Sequence, residues 1–260
     1  MKSLMICIGN IIFRWRDTIF SLLIAPVFFL ISLPAWPELT HGWCHLAAGG
    51  IAGQKIDLIL HGTGASLLLA GMLVRMLTIG FAYIKRGGLN KRIFADSIVQ
   101  GGMYGLVRNP MYSGNLLIVT GAIQVFNTWY TWALLPVFYF FYACIILAEE
   151  NFLGRSFGRD YEQYRAAVPR LIPRLGAAWR TAFAGMHFNA QKVLNKEHGS
   201  FAVLSGGMVA YSALKLHFRY GFAWDSVLQG CLGLALLLIL LCQILCVILK
   251  RAGRLEWNSV

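Results

Sequence analysis

The chain has 260 residues, of which 58% are hydrophobic and 13% charged, and its 23 Lys and Arg outnumber 11 Asp and Glu to give a net charge of +12. A water-soluble domain of this size needs more polar surface than this composition supplies. The positive residues flank apolar runs and do not lie among base-reading side chains, so we expect no nucleic acid partner. The composition predicts an all-α integral membrane protein that crosses the bilayer several times.

Six apolar runs are predicted to form transmembrane helices. In chain order these spans are Thr18–Leu33, Ile56–Tyr83, Tyr112–Phe126, Tyr130–Ala148, Phe201–Phe218 and Val227–Leu249. The third run reaches only ~22 Å at a helical rise of about 1.5 Å per residue, which is less than a hydrocarbon core of about 30 Å. Asn127-Thr128 joins it directly to the fourth run. These two runs predict a short helical hairpin, and whether the third run fully crosses stays open.

The basic residues are unevenly distributed between the two sides of this predicted topology. Nineteen Lys and Arg fall in four segments that share one side: 1–17, 84–111, 149–200 and 250–260. We assign only Lys55, Lys215 and Arg219 to the other side. Loops rich in Lys and Arg stay in the cytoplasm. We therefore expect a multi-pass protein with both termini cytoplasmic.

The chain divides into four predicted regions. Residues 1–55 are expected to form an N-terminal membrane anchor and outer loop, and residues 56–174 a membrane core that carries the chemistry. Residues 175–200 are expected to be a basic interfacial linker, for which a simple tether between two membrane parts and a helix along the membrane surface both stay open. Residues 201–260 hold two plain apolar spans and are expected to form a C-terminal two-helix membrane appendage.

The outer loop contains three possible metal ligands close together, His41, Cys44 and His45. A protein metal site needs further ligands at suitable spacing, and the sequence shows none beside them. We therefore interpret this stretch as an interfacial loop and predict no metal site.

An arginine and an asparagine stand immediately before a proline at the start of the third run, in the order Arg108-Asn109-Pro110. Ionisable groups beside hydrocarbon cost free energy and therefore indicate function by default. Proline in the first helical turn loses no useful hydrogen bond. The free N–H groups of such a helix start, beside a guanidinium, suit a carboxylate or a phosphate. The simpler interpretation of Arg108 alone is a positive residue at a cytoplasmic helix end.

Two adjacent carboxylates, Glu149 and Glu150, follow the fourth run. Neighbouring residues in a helix differ in direction by about 100°, so we expect these two to face different partners. Each could also simply neutralise a nearby arginine. Because both polar clusters lie at the same end of one hairpin, we expect Arg108 and Glu150 to be close in space.

A pair of tyrosines follows the carboxylates. Tyr161 and Tyr164 are about one helical turn apart and share a face. With Arg165 and Arg170 they would form a floor for a flat heterocycle that has a charged tail. The alternative is that both tyrosines only anchor the chain at the membrane interface.

These residues together closely resemble the membrane methyltransferases related to isoprenylcysteine carboxyl methyltransferase and the phospholipid N-methyltransferases. That family pattern is Tyr-x-x-x-Arg-His/Asn-Pro-x-Tyr-x-Gly, a membrane hairpin, Glu-Glu-x-x-Leu, Phe-Gly, Tyr-x-x-Tyr and Val-Pro-x-x-Ile-Pro. The matching residues here are Tyr104, Arg108-Asn109-Pro110, Tyr112, Gly114, Glu149-Glu150, Leu153, Phe157-Gly158, Tyr161, Tyr164, Val168-Pro169 and Ile172-Pro173. As an ordered set they are specific, although Asn109 stands where many relatives have histidine.

The resemblance implies S-adenosylmethionine as methyl donor and a site at the cytoplasmic end of the hairpin. It implies that Arg108 and Glu150 are catalytic. The residues expected to bind the donor are Tyr104, Asn109, Pro110, Tyr112, Gly114, Glu149, Tyr161, Tyr164, Arg165 and Arg170.

The acceptor is expected to enter from the bilayer as a lipid-tailed molecule. If it is a carboxylate, the Arg108 fork would orient it, and if it is an amine, Glu150 would be the candidate base. An isoprenylcysteine, an amine-bearing phospholipid and another prenyl compound all stay open, as does the oligomeric state. Two other functions stay open, that of a sterol-reductase-like NADPH oxidoreductase and that of a non-catalytic lipid-binding membrane protein. The chain has no Gly-x-Gly-x-x-Gly after a strand to favour the first.

Overall fold

The computed structural model describes residues 2–30, 50–82, 93–174, 176, 178–220 and 226–255. All regular secondary structure in these ranges is helical, which confirms the all-α prediction for them. The helices are α1 (Lys2–Leu30), α2 (Gly50–Phe81), α3 (Met103–Leu106), α4 (Pro110–Phe126), α5 (Trp129–Ala167), α6 (Ala178–Ala182), α7 (Ala190–Tyr220) and α8 (Ser226–Arg251). The predicted loop with His41, Cys44 and His45 lies outside the described residues.

Three helices in the described ranges are long and apolar enough to cross a membrane, within α2, α5 and α8. They are Lys55–Phe81, Trp129–Ala167 and Gly230–Arg251, and they overlap the second, fourth and sixth predicted spans. The first predicted span lies in α1, which begins at Lys2, well before Thr18. The third lies in α4, which has 17 residues. The predicted span ends Leu33 and Tyr83 lie outside the described residues.

The predicted hairpin turn is present between α4 and α5. Asn127 has φ of 44°, a left-handed conformation that asparagine tolerates better than most residues and that ends α4. Thr128 caps α5 reciprocally with Thr131, because each threonine hydroxyl accepts the other residue's backbone N–H at 3.2 Å. The two residues predicted to form the turn therefore end one helix and start the next.

Helix α5 contains one break that the sequence analysis did not anticipate. Gly158 has φ of 50° and ψ of −120°, which is non-helical and accessible to glycine at little cost. The helix axis therefore changes direction after residue 157. The residues that follow, including the two tyrosines of the candidate site, are carried on a separate short helical stretch.

The chain forms two compact units. Unit 1 comprises Met1–Leu23, Leu67–Thr120 and Ala133–Phe188, and its core includes Phe13, Tyr112 and Ile145. Unit 2 comprises Ile24–Ser66, Gly121–Trp132 and Asn189–Val260, and its core includes Val125, Phe126 and Tyr211. The four sequence regions expected above stay a prediction.

The segment expected to be an interfacial linker is only partly helical. Within unit 1 it forms α6, five residues long. After α6 the Phe183 and Phe188 rings pack on Phe81, with centroids 4.7 and 5.3 Å away. The described helical residues of this segment are therefore Ala178–Ala182 and the first turns of α7 from Ala190, and a helix along the membrane surface stays a prediction.

Lys215, which the predicted topology counts on the outer side, near the end of the span Phe201–Phe218, is buried inside unit 2. It lies in α7, where its Nζ donates to Asp57 Oδ1 at 3.0 Å and to the Val125 carbonyl at 2.8 Å. Tyr211 OH donates to the Phe126 carbonyl at 2.9 Å. The last carbonyls of a helix have no partner within it, and hydrocarbon offers no water to satisfy them. Side chains of α7 therefore cap the end of α4.

Candidate functional site

The candidate site lies in unit 1, where backbone hydrogen bonds join two segments that are distant in the sequence. Arg108 N–H donates to the Pro169 carbonyl at 2.8 Å, and Arg174 N–H donates to the Leu106 carbonyl at 3.1 Å. The Ser113 hydroxyl donates to the Leu171 carbonyl at 2.7 Å. These bonds hold the Val-Pro-x-x-Ile-Pro segment against the start of α4.

Arg108 and Glu150 meet in this region, as the sequence analysis predicted. Arg108 Nη2 lies 3.3 Å from Glu150 Oε1, and the two side chains are only 8% and 9% exposed. Arg108 Nη1 also donates to the Arg165 carbonyl at 3.2 Å. The Arg108 Nε is buried and has no hydrogen-bond acceptor among the described residues. A buried donor of this kind is costly unless something accepts its hydrogen bond.

Arg170 and Asn109 complete the surroundings of the Glu150 carboxylate. Arg170 donates through Nε to Oε1 at 3.1 Å and through Nη2 to Oε2 at 2.7 Å, a bidentate contact. Asn109 Nδ2 donates to Glu150 Oε1 at 3.3 Å and to the Arg170 carbonyl at 3.2 Å. The Arg170 side chain is 48% exposed. One carboxylate is therefore shared by two guanidiniums, and the cluster carries a net positive charge.

Glu149 faces a different partner from Glu150, as the helix geometry predicted. The Tyr112 hydroxyl donates to Glu149 Oε1 at 2.5 Å, and the Tyr112 side chain is buried. Tyr112 lies in α4 and Glu149 in α5, so this bond joins the two arms of the hairpin. Glu149 therefore links the two helices of the hairpin, and Glu150 binds the two arginines.

Tyr161 and Tyr164 lie together after the break at Gly158. Both are buried, and their ring centroids are 6.2 Å apart. Tyr164 OH donates to the Tyr104 carbonyl at 2.8 Å. Burial raises the pKa of the Tyr104 phenol well above its usual value, and the Glu149 carboxylate adds to this effect. Tyr104 therefore stays a neutral hydrogen-bond donor at neutral pH.

Three of the residues expected to bind the donor have other observed contacts. Gly114 lies so close to α2 that a Cβ on it would be 2.8 Å from Arg75 Cγ and 2.9 Å from the Gly71 carbonyl oxygen. The Arg165 side chain is exposed and pairs with Glu162 at 3.1 Å. Pro110 is buried at the first residue of α4. Gly114 therefore allows close packing of α4 on α2. Arg165 contacts Arg108 through its backbone carbonyl, whereas its guanidinium pairs with Glu162.

A cavity of about 870 Å³ lies beside Tyr164. Its wall combines acidic, amide, hydroxyl, basic and aromatic groups, namely Asp96, Ser97, Gln100, Phe157, Asp160, Gln163, Tyr164 and Arg174. Except for Tyr164, the polar residues of this wall were not among the predicted site residues. Asp160, Gln163 and Tyr164 share one helical face by spacing, and that polar stripe next to the tyrosine was the signal available.

The phospholipid methyltransferase family matches residues 59–160 of the chain. This region contains the Arg108-Asn109-Pro110 segment, the hairpin and both carboxylates, and it ends just before Tyr161. The resemblance expected from the sequence is therefore confirmed over this part of the chain, whose described ranges are α-helical and contain three candidate membrane spans.

The chain is also similar to curated isoprenylcysteine methyltransferases. A probable protein-S-isoprenylcysteine O-methyltransferase of Oryza sativa subsp. indica is 36% identical over 77 residues, which are 29% of this chain and 40% of that protein. Protein-S-isoprenylcysteine O-methyltransferase B of Arabidopsis thaliana is 29% identical over 125 residues, 46% of this chain and 63% of that protein. The Schizosaccharomyces pombe enzyme is 35% identical over 85 residues, 32% of this chain and 36% of that protein. The chain thus matches less than two thirds of each of these relatives, and no solved structure gives a significant match.

Proposed function

We propose that the protein is an integral membrane methyltransferase that transfers a methyl group from S-adenosylmethionine to a lipid or isoprenoid-type acceptor held in the bilayer. The observation that carries this proposal is the buried contact between Arg108 and Glu150, within a region that matches the phospholipid methyltransferase family. The contact brings together the two halves of the motif on which the resemblance rests.

The residues present fit this methyl donor. The Arg108 Nε is a buried hydrogen-bond donor without an acceptor among the described residues, and Arg170 is half-exposed, so both suit the donor's carboxylate. Phe157 and Tyr164 offer ring faces for its nucleobase, and Asp160 offers an acceptor for hydroxyl or ammonium groups. When bound, S-adenosylmethionine supplies an electrophilic methyl group on a sulfonium.

In this proposal the chain's own residues align the reactants and exclude water. Glu150 holds Arg108 and Arg170 in fixed directions, so that two guanidiniums are oriented before a ligand arrives. The Tyr112–Glu149 hydrogen bond holds together the two helices of the hairpin, and Arg108 lies two residues before the first of them. The Arg108 and Glu150 side chains are only 8% and 9% exposed. Such burial strengthens electrostatic interactions, including the attraction between the Arg108 guanidinium and a bound anion.

We propose a carboxylate as the acceptor. The relatives named above are O-methyltransferases by name. For an amine acceptor Glu150 would be the base, but Arg170 already occupies both of its oxygens. A carboxylate requires no such base, because it is already deprotonated at neutral pH.

We further propose a multi-pass protein with six spans and both termini cytoplasmic. Three candidate spans in the described ranges and the bias of Lys and Arg towards one set of segments support this topology. Protease protection of tags at the two ends, in sealed inside-out vesicles, tests it. Cleavage of both tags is expected, and protection of either tag would contradict it.

The function is tested with the purified full-length protein in lipid nanodiscs, by donor titration and by mass spectrometry of the extracted lipids. The wild type is expected to bind S-adenosylmethionine, not NADPH, and to add one methyl mass to a lipid-tailed carboxylate. Arg108→Ala and Glu150→Gln should each lower methyl transfer about a hundredfold, because each removes part of the preorganised cluster. Asp17→Asn, a change at an exposed carboxylate, is the control and should have no effect. Unchanged binding and transfer in both site variants would contradict the proposal.

A further inference from the structure

The beginning of α7 and the end of α8 are joined by side-chain hydrogen bonds within unit 2. Asn195 Nδ2 donates to the Leu255 carbonyl at 2.5 Å, and Lys250 Nζ donates to the Asn195 carbonyl at 3.3 Å. One turn further along α7, His198 Nδ1 lies 3.0 Å from Gln243 Oε1. These contacts hold the two helix ends beside each other.

The chain reverses direction immediately after α8. Gly253 has φ of 70°, Arg254 N–H donates to the Leu249 carbonyl at 3.0 Å, and Gly253 N–H donates to the Lys250 carbonyl at 3.2 Å. This pair of bonds is the Schellman motif that ends many helices. Leu255 is buried, whereas Arg254 is exposed. The backbone that carries Arg254 is therefore fixed against the helix end.

Four exposed cations gather on these joined ends: Lys196, Lys250, Arg251 and Arg254. We call this group the basic end. Glu197, which follows Lys196, is fully buried, and Glu256, the carboxylate nearest to Arg254 in the sequence, lies outside the described residues. Within the part of the chain that the structure describes, neither Arg251 nor Arg254 is within ion-pairing distance of a carboxylate. The basic end therefore offers net positive charge to a ligand.

Directly before the basic end, α8 is exposed and apolar. Its candidate span Gly230–Arg251 has 22 residues and a mean hydropathy of 3.0, and no part of its most apolar window is buried. Leu241, Ile244, Leu245 and Ile248 are all exposed. A helix of this length crosses the hydrocarbon core, so its terminal cations lie at the level of the lipid headgroups.

We propose that the basic end binds the phosphate of an anionic phospholipid whose acyl chains lie along the exposed leucine and isoleucine side chains of α8. Arg251 and Arg254 provide planar forks for the phosphate oxygens, Lys196 and Lys250 add charge, and the adjoining surface provides the apolar contact that a lipid requires. A soluble phosphate could contact the four cations but would leave the adjoining apolar surface without a partner. The proposal is independent of the proposed methyltransferase activity.

The test uses the purified full-length protein in detergent, with native mass spectrometry and thermal unfolding. The added lipids are dioleoyl phosphatidylglycerol and dioleoyl phosphatidylcholine, which share acyl chains and differ in headgroup charge. We expect retention of the phosphatidylglycerol and a rise in unfolding temperature with this lipid only. The Arg251→Gln/Arg254→Gln double variant should bind it about thirtyfold more weakly, since each cation near an anionic surface contributes about 1 kcal/mol.

The matched control is Arg155→Gln/Arg159→Gln, which removes the same charge from two exposed arginines of α5. It should bind phosphatidylglycerol as the wild type does. Unfolding in phosphatidylcholine alone reports whether the double variant is folded, and Lys250→Gln provides a second, single change that should weaken binding less. Equal binding of the two lipids, wild-type binding by the double variant, or displacement of phosphatidylglycerol by millimolar inorganic phosphate would each overturn the proposal.

Discussion

Each unit of the molecule contains a buried ion pair among its described residues, and the two pairs differ in their surroundings and exposure. In unit 2 Lys215 contacts the Asp57 carboxylate and also donates a hydrogen bond to the Val125 carbonyl. Asn127 Nδ2 also donates to Asp57 at 2.5 Å, so the pair is tied to the hairpin turn. In unit 1 one carboxylate meets two arginines, one arginine is half-exposed, and a buried guanidinium N–H has no acceptor among the described residues.

The difference separates a structural ion pair from a candidate binding site. A buried pair whose hydrogen bonds also satisfy a helix end has an explanation in the fold. An uneven cluster with excess positive charge and an unused donor has none, and such sites are where ligands or catalysis are found. We therefore expect changes in the unit 2 pair to lower stability and changes in the unit 1 cluster to lower donor binding.

Lys215→Met should produce the largest loss of stability. It breaks the buried contact between Lys215 and Asp57, and breaking a buried ion pair costs about 3–5 kcal/mol of the free energy of unfolding. The Asp57→Leu/Lys215→Met double variant should recover most of this loss, because no uncompensated charge remains. Denaturant unfolding in detergent micelles measures both. A Lys215→Met protein as stable as the wild type would show that this pair does not hold the fold.

Arg170→Gln should act mainly on donor affinity. It removes a bidentate contact with Glu150, and hydrogen bonds to charged groups are worth about 1.5–3 kcal/mol. We expect S-adenosylmethionine to bind at least about tenfold more weakly, with a smaller change in unfolding temperature than Lys215→Met causes. Calorimetric titration of the protein in nanodiscs measures the affinity. An unchanged affinity with a large loss of stability would make the unit 1 cluster structural too.

Tyr164→Phe should cost about 1 kcal/mol of stability, since it deletes one hydrogen bond, the one to the Tyr104 carbonyl. Tyr139→Phe is the matched control, because the Tyr139 hydroxyl pairs with Thr120 at an exposed position. We expect the control to change the free energy of unfolding by less than about 0.5 kcal/mol. Equal effects of the two changes would show that the bond to Tyr104 does not fix the tyrosine pair.

Arg165→Gln should have the smallest effect. Its side chain forms an exposed pair with Glu162, and exposed pairs contribute about 0–1 kcal/mol. Its backbone carbonyl, which accepts from Arg108, is unchanged by the substitution. We expect donor affinity to fall less than about threefold. A tenfold loss would show that the Arg165 guanidinium itself binds the donor, as the family resemblance implies.

The hairpin and the contact between Arg108 and Glu150 could be predicted because both depend on local rules. A two-residue connection brings the far ends of adjacent helices together, and the proline and the adjacent carboxylates mark those ends. The angle between neighbouring residues of a helix likewise predicted correctly that Glu149 and Glu150 contact different partners.

The partners of Lys215 could not be predicted, because they lie 158 and 90 positions away in the sequence. The charge of Lys215 indicated the outer end of a span, whereas the Asp57 carboxylate and the Val125 carbonyl at the end of α4 accept its hydrogen bonds inside the unit. The break at Gly158 was equally hidden, since a glycine in a helical pattern does not by itself reveal its backbone angles. The packing of Gly114 against α2 could not be predicted either, because it depends on tertiary contacts with residues distant in the sequence.

A double-mutant cycle for S-adenosylmethionine binding tests the central claim that Arg108 and Glu150 act as one unit. Dissociation constants are measured for the wild type, Arg108→Gln, Glu150→Gln and the double variant, all in nanodiscs of one lipid composition. If the two side chains form one site, the double variant should bind no more than about twofold more weakly than the weaker single variant, because residues in contact are non-additive. Two single effects that multiply in the double variant would show that the two residues act independently, and would contradict the account.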